Sequence, residues 1–118
     1  MPKNSNSSLF EKFSLYGKIS NEELYLPIRK TPEFIAECNM RRLAIIGVEF
    51  YHLSGDKILP VTPISDIDLS DITNGVDDWQ YALVECNKMV SKIINEKILG
   101  DDSLYCSFIV IDEKELRN

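Results

Sequence analysis

The sequence predicts an α+β fold, a single domain in which a mainly antiparallel sheet packs against one long helix and one shorter helix. Two blocks rich in β-branched and aromatic residues, 43–53 and 104–111, have the composition of buried strands. Residues 77–99 repeat their apolar side chains with the helical period. A chain of 118 residues can bury one hydrophobic core, so we expect one domain over residues 1–118.

The N-terminal part of the chain begins with a polar segment, residues 1–8, which we expect to be disordered. A short amphipathic helix that ends near Gly17 is indicated by the spacing of Leu9, Phe10, Phe13 and Tyr16. Residues 18–30 favour no particular structure, although Pro27 excludes a long helix there.

A shorter helix over residues 31–42 has clear start and stop signals. Thr31 is expected to accept a hydrogen bond as the N-cap, and Pro32 suits the first helical position. Glu33 complements the positive end of the helix dipole, and the pair Arg41-Arg42 complements the negative end. The helix is therefore expected to end near residues 40–42.

The block 43–53 is the strongest strand in the sequence, and Gly47 within it predicts a bulge or a close packing contact. After a turn at residues 54–56, the stretch 57–61 can return as a short antiparallel partner. Because proline cannot donate a ladder hydrogen bond, Pro60 predicts that this partner is an edge strand.

The long helix over residues 77–99 is expected to bury one stripe of side chains and to end at Gly100. Asp77 or Asp78 can cap its first turn. Tyr81 lies off the stripe, so we expect it on the surface, whereas Trp79 is expected in the core. The stripe comprises Trp79, Ala82, Leu83, Cys86, Met89, Val90, Ile93 and Ile94.

The net charge of −6 is concentrated in one quarter of the chain. Residues 58–87 contain six acids and no Lys or Arg, while the rest of the chain has 13 residues of each sign. Phosphate backbones and anionic membranes attract clustered cations, so this balance argues against both as partners and favours a basic protein. The alternative is an acidic surface that only maintains solubility. The six acids are Asp66, Asp68, Asp71, Asp77, Asp78 and Glu85.

Within this acidic quarter, residues 66–70 alternate polar and apolar side chains. If the segment is extended, Ile67 and Leu69 point into the core while Asp66, Asp68 and Ser70 point outward. Asp71, Asp77 and Asp78 would continue the negative surface towards the long helix. Tyr81, Trp79 and Tyr51 are the candidate aromatic contacts there, and Tyr81 is the preferred one.

No pattern in the sequence indicates catalysis, a metal or a cofactor, so we expect a protein that is not an enzyme. His52 is the single histidine, and the isolated glycines form no phosphate-binding loop. An EF-hand loop starting at Asp66 would place Asp71 where a glycine is needed and Asp77 where a bidentate Glu is usual.

The cysteines and the absence of targeting signals predict a cytoplasmic protein. Cys38, Cys86 and Cys106 are odd in number and widely spaced, unlike a secreted disulfide framework. The sequence shows no apolar run of signal-peptide length near its start and no stretch long enough to span a membrane.

The order of elements between residues 31 and 95 resembles that of small bacterial immunity proteins, which neutralise polymorphic toxins such as those of contact-dependent growth inhibition. The resemblance lies in a helix ending at Arg41-Arg42, the strand LAIIGVEFYHL, the Gly55-Asp56 turn, the stretch LPVTPI and a helix introduced by DDW. It implies a non-catalytic cytosolic protein that binds the C-terminal domain of its cognate toxin. Many such toxins are nucleases with basic clefts.

The first hypothesis is therefore an immunity protein, monomeric or weakly dimeric, that occludes a basic cleft with an acidic surface. The second is a non-catalytic structural or regulatory interaction module, with homodimerisation through a sheet edge as one form. The third is a small-ligand enzyme that uses His52 and the acids, which requires a deep pocket joining them. For the first hypothesis, the expected toxin-binding residues are Asp66, Asp68, Asp71, Asp77, Asp78 and Tyr81.

Overall fold

An antiparallel sheet with helices on one face makes up the fold, which confirms the predicted α+β class. The computed structural model describes residues 7–21, 23–61, 67–69, 78–100 and 103–114. The helices are α1 (Ser7–Phe13), α2 (Thr31–Met40) and α3 (Trp79–Gly100), with a 3₁₀ turn (Ile28–Lys30) before α2. The strands are β1 (Lys18–Ser20), β2 (Glu23–Pro27), β3 (Ala44–Ser54), β4 (Lys57–Pro60), β5 (Ile67–Asp68) and β6 (Tyr105–Ile111).

The strand order is β1-β2-β6-β3-β4, and β5 lies beside β3 on the same edge as β4. The long strand β3 pairs with β6 on its other edge, from Ala44 opposite Ile111 to Tyr51 opposite Tyr105. The prediction that residues 57–61 form an edge partner of the main strand is confirmed.

Gly47 marks a bulge in β3, as predicted, because the register with β6 shifts between Ile45 and Gly47. Gly47 also makes the close contact that was the alternative. A Cβ added there would lie 3.2 Å from Cδ1 of Ile109 on β6. The missing side chain thus lets Ile109 lie directly on the β3 backbone.

The start of α2 differs from the prediction. Lys30 occupies the N-cap position and makes no side-chain cap hydrogen bond, while Thr31 is already helical. The 3₁₀ turn runs directly into α2, and the Thr31 hydroxyl donates to the carbonyl oxygen of Ile28 at 2.6 Å instead of accepting from the helix amides. Glu33 lies in the first turn, as expected.

The end of α2 agrees with the predicted boundary and has a defined cap. Arg42 adopts a positive φ of 59°. The Leu43 N–H donates to the Cys38 carbonyl at 2.8 Å, and the Arg42 N–H donates to the Asn39 carbonyl at 3.2 Å. These two bonds form a Schellman motif, which satisfies carbonyls that the helix end would leave unpaired.

The N-terminal region contains structure that the sequence did not indicate. The helix α1 begins at Ser7, so the expected disorder of residues 1–8 is wrong for Ser7 and Ser8, and the remainder of that segment lies outside the described residues. Residues 18–30, which favoured no structure, form the hairpin β1–β2 and the 3₁₀ turn. Both strands are short, so neither offers a long periodic pattern.

The core lies between the sheet and the helices. Phe34 of α2 stacks on Phe108 of β6 with ring centroids 4.2 Å apart, and Trp79 of α3 is buried as expected. Met89 is 39% exposed, so its assignment to the buried stripe of α3 was wrong. The three cysteines are free and buried, and burial raises the pKa of Cys38 and Cys106 to about 12.

A buried amide ties α3 to the start of β3. The Asn87 Oδ1 accepts from the Ile45 N–H at 2.9 Å, and its Nδ2 donates to the Leu43 carbonyl at 2.9 Å and to Asn39 Oδ1 at 2.7 Å. All the polar atoms of this side chain are therefore satisfied, as burial requires. No helix within the described ranges is both long enough and apolar enough to span a membrane.

Candidate interaction surface

Residues 61–71 are called the acidic segment below. Where the structure describes this segment, it pairs with β3 and alternates as the sequence predicted. Ile67 pairs with Val48 and Asp68 pairs with Gly47. The side chain of Leu69 is buried, whereas Asp68 is exposed. The pattern of an apolar anchor and an outward carboxylate is thus confirmed for Asp68 and Leu69.

Two backbone hydrogen bonds fasten this segment to β3. The Val61 N–H donates to the Phe50 carbonyl at 3.1 Å, just after β4. The Leu69 N–H donates to the Ile46 carbonyl at 2.7 Å, just after β5. Val61 and Leu69, which flank Asp66 in the sequence, are therefore both bonded to β3, while Asp66 itself lies outside the described residues.

Asp78 and Tyr81 lie at the start of α3. The Asp78 Oδ1 accepts from the Tyr81 N–H at 3.3 Å, so Asp78 caps the helix, as one of two predicted candidates. The Tyr81 side chain is 56% exposed, as expected for a residue off the buried stripe. These two residues belong to the helix layer and Asp68 to the sheet. Asp71 and Asp77 lie outside the described residues.

The sheet face that points away from the helices, called the open face below, has an unusual composition. Paired residues of an antiparallel sheet share a face, so the pairs Gly47–Ile109, Glu49–Ser107 and Tyr51–Tyr105 all belong to it. Asp68 belongs to it as well, because it pairs with Gly47. Although β6 is a central strand, Ile109 is 54% exposed.

Two tyrosine–glutamate pairs lie on the open face. The Tyr25 hydroxyl donates to Glu23 Oε2 at 2.7 Å, and the Tyr51 hydroxyl donates to Glu49 Oε2 at 2.8 Å. The two rings meet edge to face across β6, with centroids 5.1 Å apart. We call these four residues the tyrosine–glutamate cluster.

The electrostatics of the tyrosine–glutamate cluster follow from burial and from its carboxylates. Burial raises the pKa of Tyr25 to about 12, and the hydrogen bond to Glu23 adds to the rise. Burial and the hydrogen bond to Glu49 raise the pKa of Tyr51 to about 12, while a hydrogen bond with Ser107 acts in the opposite direction. Both hydroxyls therefore stay protonated and remain donors to the carboxylates at neutral pH.

Sequence reasoning named Tyr51 as a candidate aromatic contact but missed the rest of this cluster, although a signal for it was present. The chain contains Glu-Leu-Tyr at 23–25 and Glu-Phe-Tyr at 49–51. In a strand, residues two apart share a face, so each tripeptide places its carboxylate beside its phenol. The first tripeptide was overlooked because β2 itself was not predicted.

The helix layer carries a shallow groove of different charge. It lies between α2 and α3, has a volume of about 730 Å³ and is lined by Lys88, Lys92 and several amide side chains, with no carboxylate among its lining residues. His52 is exposed near the end of β3, opposite Leu59, and is not among the lining residues of this groove. In the described part of the chain, no three His, Cys, Asp or Glu side chains are grouped as metal ligands.

No protein-family model, curated protein or solved structure matches this chain. The candidate surface is therefore defined by its own residues, by the strand pairing and by the hydrogen bonds given above.

Proposed function

We propose that this protein is an immunity protein that binds and neutralises a cognate bacterial toxin, of a contact-dependent growth inhibition or related polymorphic system. In this proposal it has no catalytic activity and occludes a basic cleft, such as that of a nuclease, with its acidic surface. It works in the cytoplasm as a monomer or weak dimer, needs no cofactor, and binds neither nucleic acid nor membranes.

The observation that carries the proposal is the placement of Asp68. The backbone of Asp68 pairs with β3, and the side chain of its neighbour Leu69 is buried in the core. The side chain of Asp68 is exposed. A negative group on a backbone that already pairs in a sheet needs less ordering when a partner binds. Fixed negative charge also attracts a basic partner over a distance and raises the rate of association.

The chain around Asp68 adds to this support. Residues 58–87 contain the acids Asp66, Asp71, Asp77 and Asp78 besides Asp68, and no cation. At the start of α3, Asp78 is exposed and accepts from the backbone N–H of Tyr81, whose side chain is also exposed. Carboxylates next to an accessible aromatic ring are suited to a surface rich in Lys and Arg.

The test is co-expression with the polypeptide encoded by the adjoining gene, which an immunity protein must render harmless. We expect the wild-type protein to restore growth of cells that produce this polypeptide. The triple variant Asp66→Lys, Asp68→Lys and Asp71→Lys should restore growth poorly, and its binding should show a weaker salt dependence because fewer attractive pairs remain.

A matched control reverses three exposed acids elsewhere, Glu11, Glu33 and Asp56, and so changes the net charge equally. This control should restore growth like the wild type. If both triple variants rescue equally, the acidic segment does not bind the toxin. If the wild-type protein neither rescues nor binds but forms a tight self-dimer in gel filtration, the interaction-module hypothesis replaces the immunity role.

A further inference from the structure

The open face combines an exposed apolar centre with aromatic rings. Ile109 is 54% exposed on a central strand, on the sheet face that points away from the helices. Tyr51 lies two residues beyond Glu49 on the neighbouring strand, and its ring contacts Tyr25. An accessible apolar side chain on the same sheet face as tyrosine side chains is the composition found at the centres of protein–protein interfaces.

The charge of the open face limits the kind of partner. Glu23, Glu49 and Asp68 contribute carboxylates to it, since each shares a strand face with Tyr25, Ser107 or Gly47. Among the described strand residues, Lys18, which pairs with Tyr25, is the one Lys or Arg on this face. The face is therefore complementary to a basic surface.

The tyrosine hydroxyls hold two of these carboxylates in place. Each of Glu23 and Glu49 accepts one hydrogen bond from a phenol and keeps further lone pairs for a partner. A carboxylate that is already oriented loses less conformational entropy when it accepts from Arg or Lys. The cluster thus prepares two acceptors on the same face as the apolar contact at Ile109.

We propose that the open face docks onto a basic protein surface of the toxin, with an apolar side chain of the partner on Ile109 and with Lys or Arg side chains at Glu49 and Glu23. This inference rests on the proposed function and names the surface that performs it. Asp68, at the same level of the sheet as Ile109, joins the acidic segment to the open face.

The groove between α2 and α3 is the rival surface, and the charge of its lining side chains argues against it. The groove between α2 and α3 is lined by Lys88 and Lys92, which would repel a basic partner. Val84 lines this groove and is 46% exposed, similar to the 54% of Ile109. The two residues therefore form a matched pair for testing which layer binds.

The experiment measures binding of the purified product of the adjoining gene to three variants on the open face. Ile109→Arg should weaken binding by at least about thirtyfold, as expected for a central interface residue. Glu49→Gln should slow association at low salt by roughly tenfold. Tyr51→Phe keeps the ring but removes the hydrogen bond that orients Glu49, so we expect the binding affinity to fall by about threefold to tenfold.

The controls are Val84→Arg on the helix layer and Glu33→Gln on α2, both at exposed positions. They should bind within about twofold of the wild type. Circular dichroism and thermal melting of each variant show whether it is folded before binding is compared. Glu49→Gln and Tyr51→Phe test the face with little change in side-chain volume.

The outcomes separate this inference from the proposed function. If the wild-type protein binds and Ile109→Arg, Glu49→Gln and Tyr51→Phe bind equally well, the open face is not the docking surface while the immunity role stands. A loss confined to Val84→Arg would move the docking surface to the helix layer. If the wild-type protein does not bind, both proposals fail.

Discussion

Asn87 shows how one side chain can determine the junction between two layers. The bulge in β3 and the Schellman end of α2 leave the Ile45 N–H and the Leu43 carbonyl near α3. Asn87 supplies an acceptor to the first and a donor to the second. No hydrophobic residue can do this, which explains a buried polar residue within an apolar stripe.

Replacing Asn87 with Leu is expected to lower the free energy of unfolding by at least about 2 kcal/mol, because each buried backbone group left unpaired costs about 1–3 kcal/mol. Urea unfolding measures this change. The control Asn39→Ala removes the bond at the exposed end of the network and should cost only about 0.5–1.5 kcal/mol. A Leu variant as stable as the wild type would mean that water or a backbone shift satisfies both groups.

At the scale of elements, the β1–β2 hairpin depends on a close approach between Gly17, which follows α1, and strand β2. A Cβ added at Gly17 would overlap the backbone carbonyl oxygen of Tyr25. Strand β2 cannot easily shift, because Leu26 and Pro27 pair with β6. The glycine that the sequence assigned only to a helix end therefore also lets the chain pass close to Tyr25.

We expect Gly17→Ala to destabilise the protein by about 1–3 kcal/mol, the usual cost of forcing extra volume into a packed site. Denaturant unfolding gives the value. Gly55→Asn is the matched control, since Gly55 has φ of +59° and no neighbour within 4 Å of an added Cβ, and asparagine tolerates that conformation. Equal stability of the two variants would contradict the tight contact.

The elements that could be predicted are those with long apolar patterns. The strand containing Gly47, the helix beginning at Trp79 and the edge strand ending at Pro60 all follow from composition and period. The N-cap of α2 and the hairpin before it were not predictable, because they depend on a 3₁₀ turn and on pairing with β6, which is distant in sequence. The same distance explains the candidate site. The alternation at residues 66–70 predicted that Asp68 is exposed. The contact between Tyr25 and Tyr51 depends on the strand order, which the sequence does not reveal.

At the scale of the whole molecule, stability at acid pH depends on an ion-pair network that joins α1 to α2. Glu37 accepts from Lys12 Nζ at 2.8 Å and from Arg41 Nε at 2.8 Å, and Arg41 also donates to Ser8. The hydrogen bonds from Lys12 and Arg41 hold the pKa of Glu37 below its ordinary value. A lowered pKa in the folded state means that Glu37 stabilises the protein above its unfolded pKa of about 4.3.

At alkaline pH the free energy of unfolding falls as the pH rises, because the pKa values of Tyr25 and Tyr51 are raised to about 12. The folded protein keeps these protons when the unfolded chain, with a tyrosine pKa of about 10, has lost them. Their contribution is present below pH of about 10 and is lost as the pH rises towards the folded value.

We therefore expect the free energy of unfolding to be greatest at intermediate pH and to fall on both sides. Urea unfolding across a pH series measures the profile. Glu37→Gln should make the free energy of unfolding fall less steeply towards acid pH. The double variant Tyr25→Phe, Tyr51→Phe should make it fall less steeply towards alkaline pH. Glu33→Gln, at an exposed site, serves as the control for the acid limb. If a variant loses stability as steeply as the wild type on its side of the profile, the group it removes does not cause that pH dependence.

The attachment of the acidic segment to β3 at both ends has a consequence for how this protein can evolve. The bonds from Val61 to Phe50 and from Leu69 to Ile46 use backbone atoms only, so they do not depend on which side chain stands at position 68. Under the proposed immunity role, exchanging the exposed side chain of Asp68 alters what the molecule recognises while β5 keeps its pairing with β3. In that role, specificity for a different toxin arises by a few point changes on a scaffold that already folds.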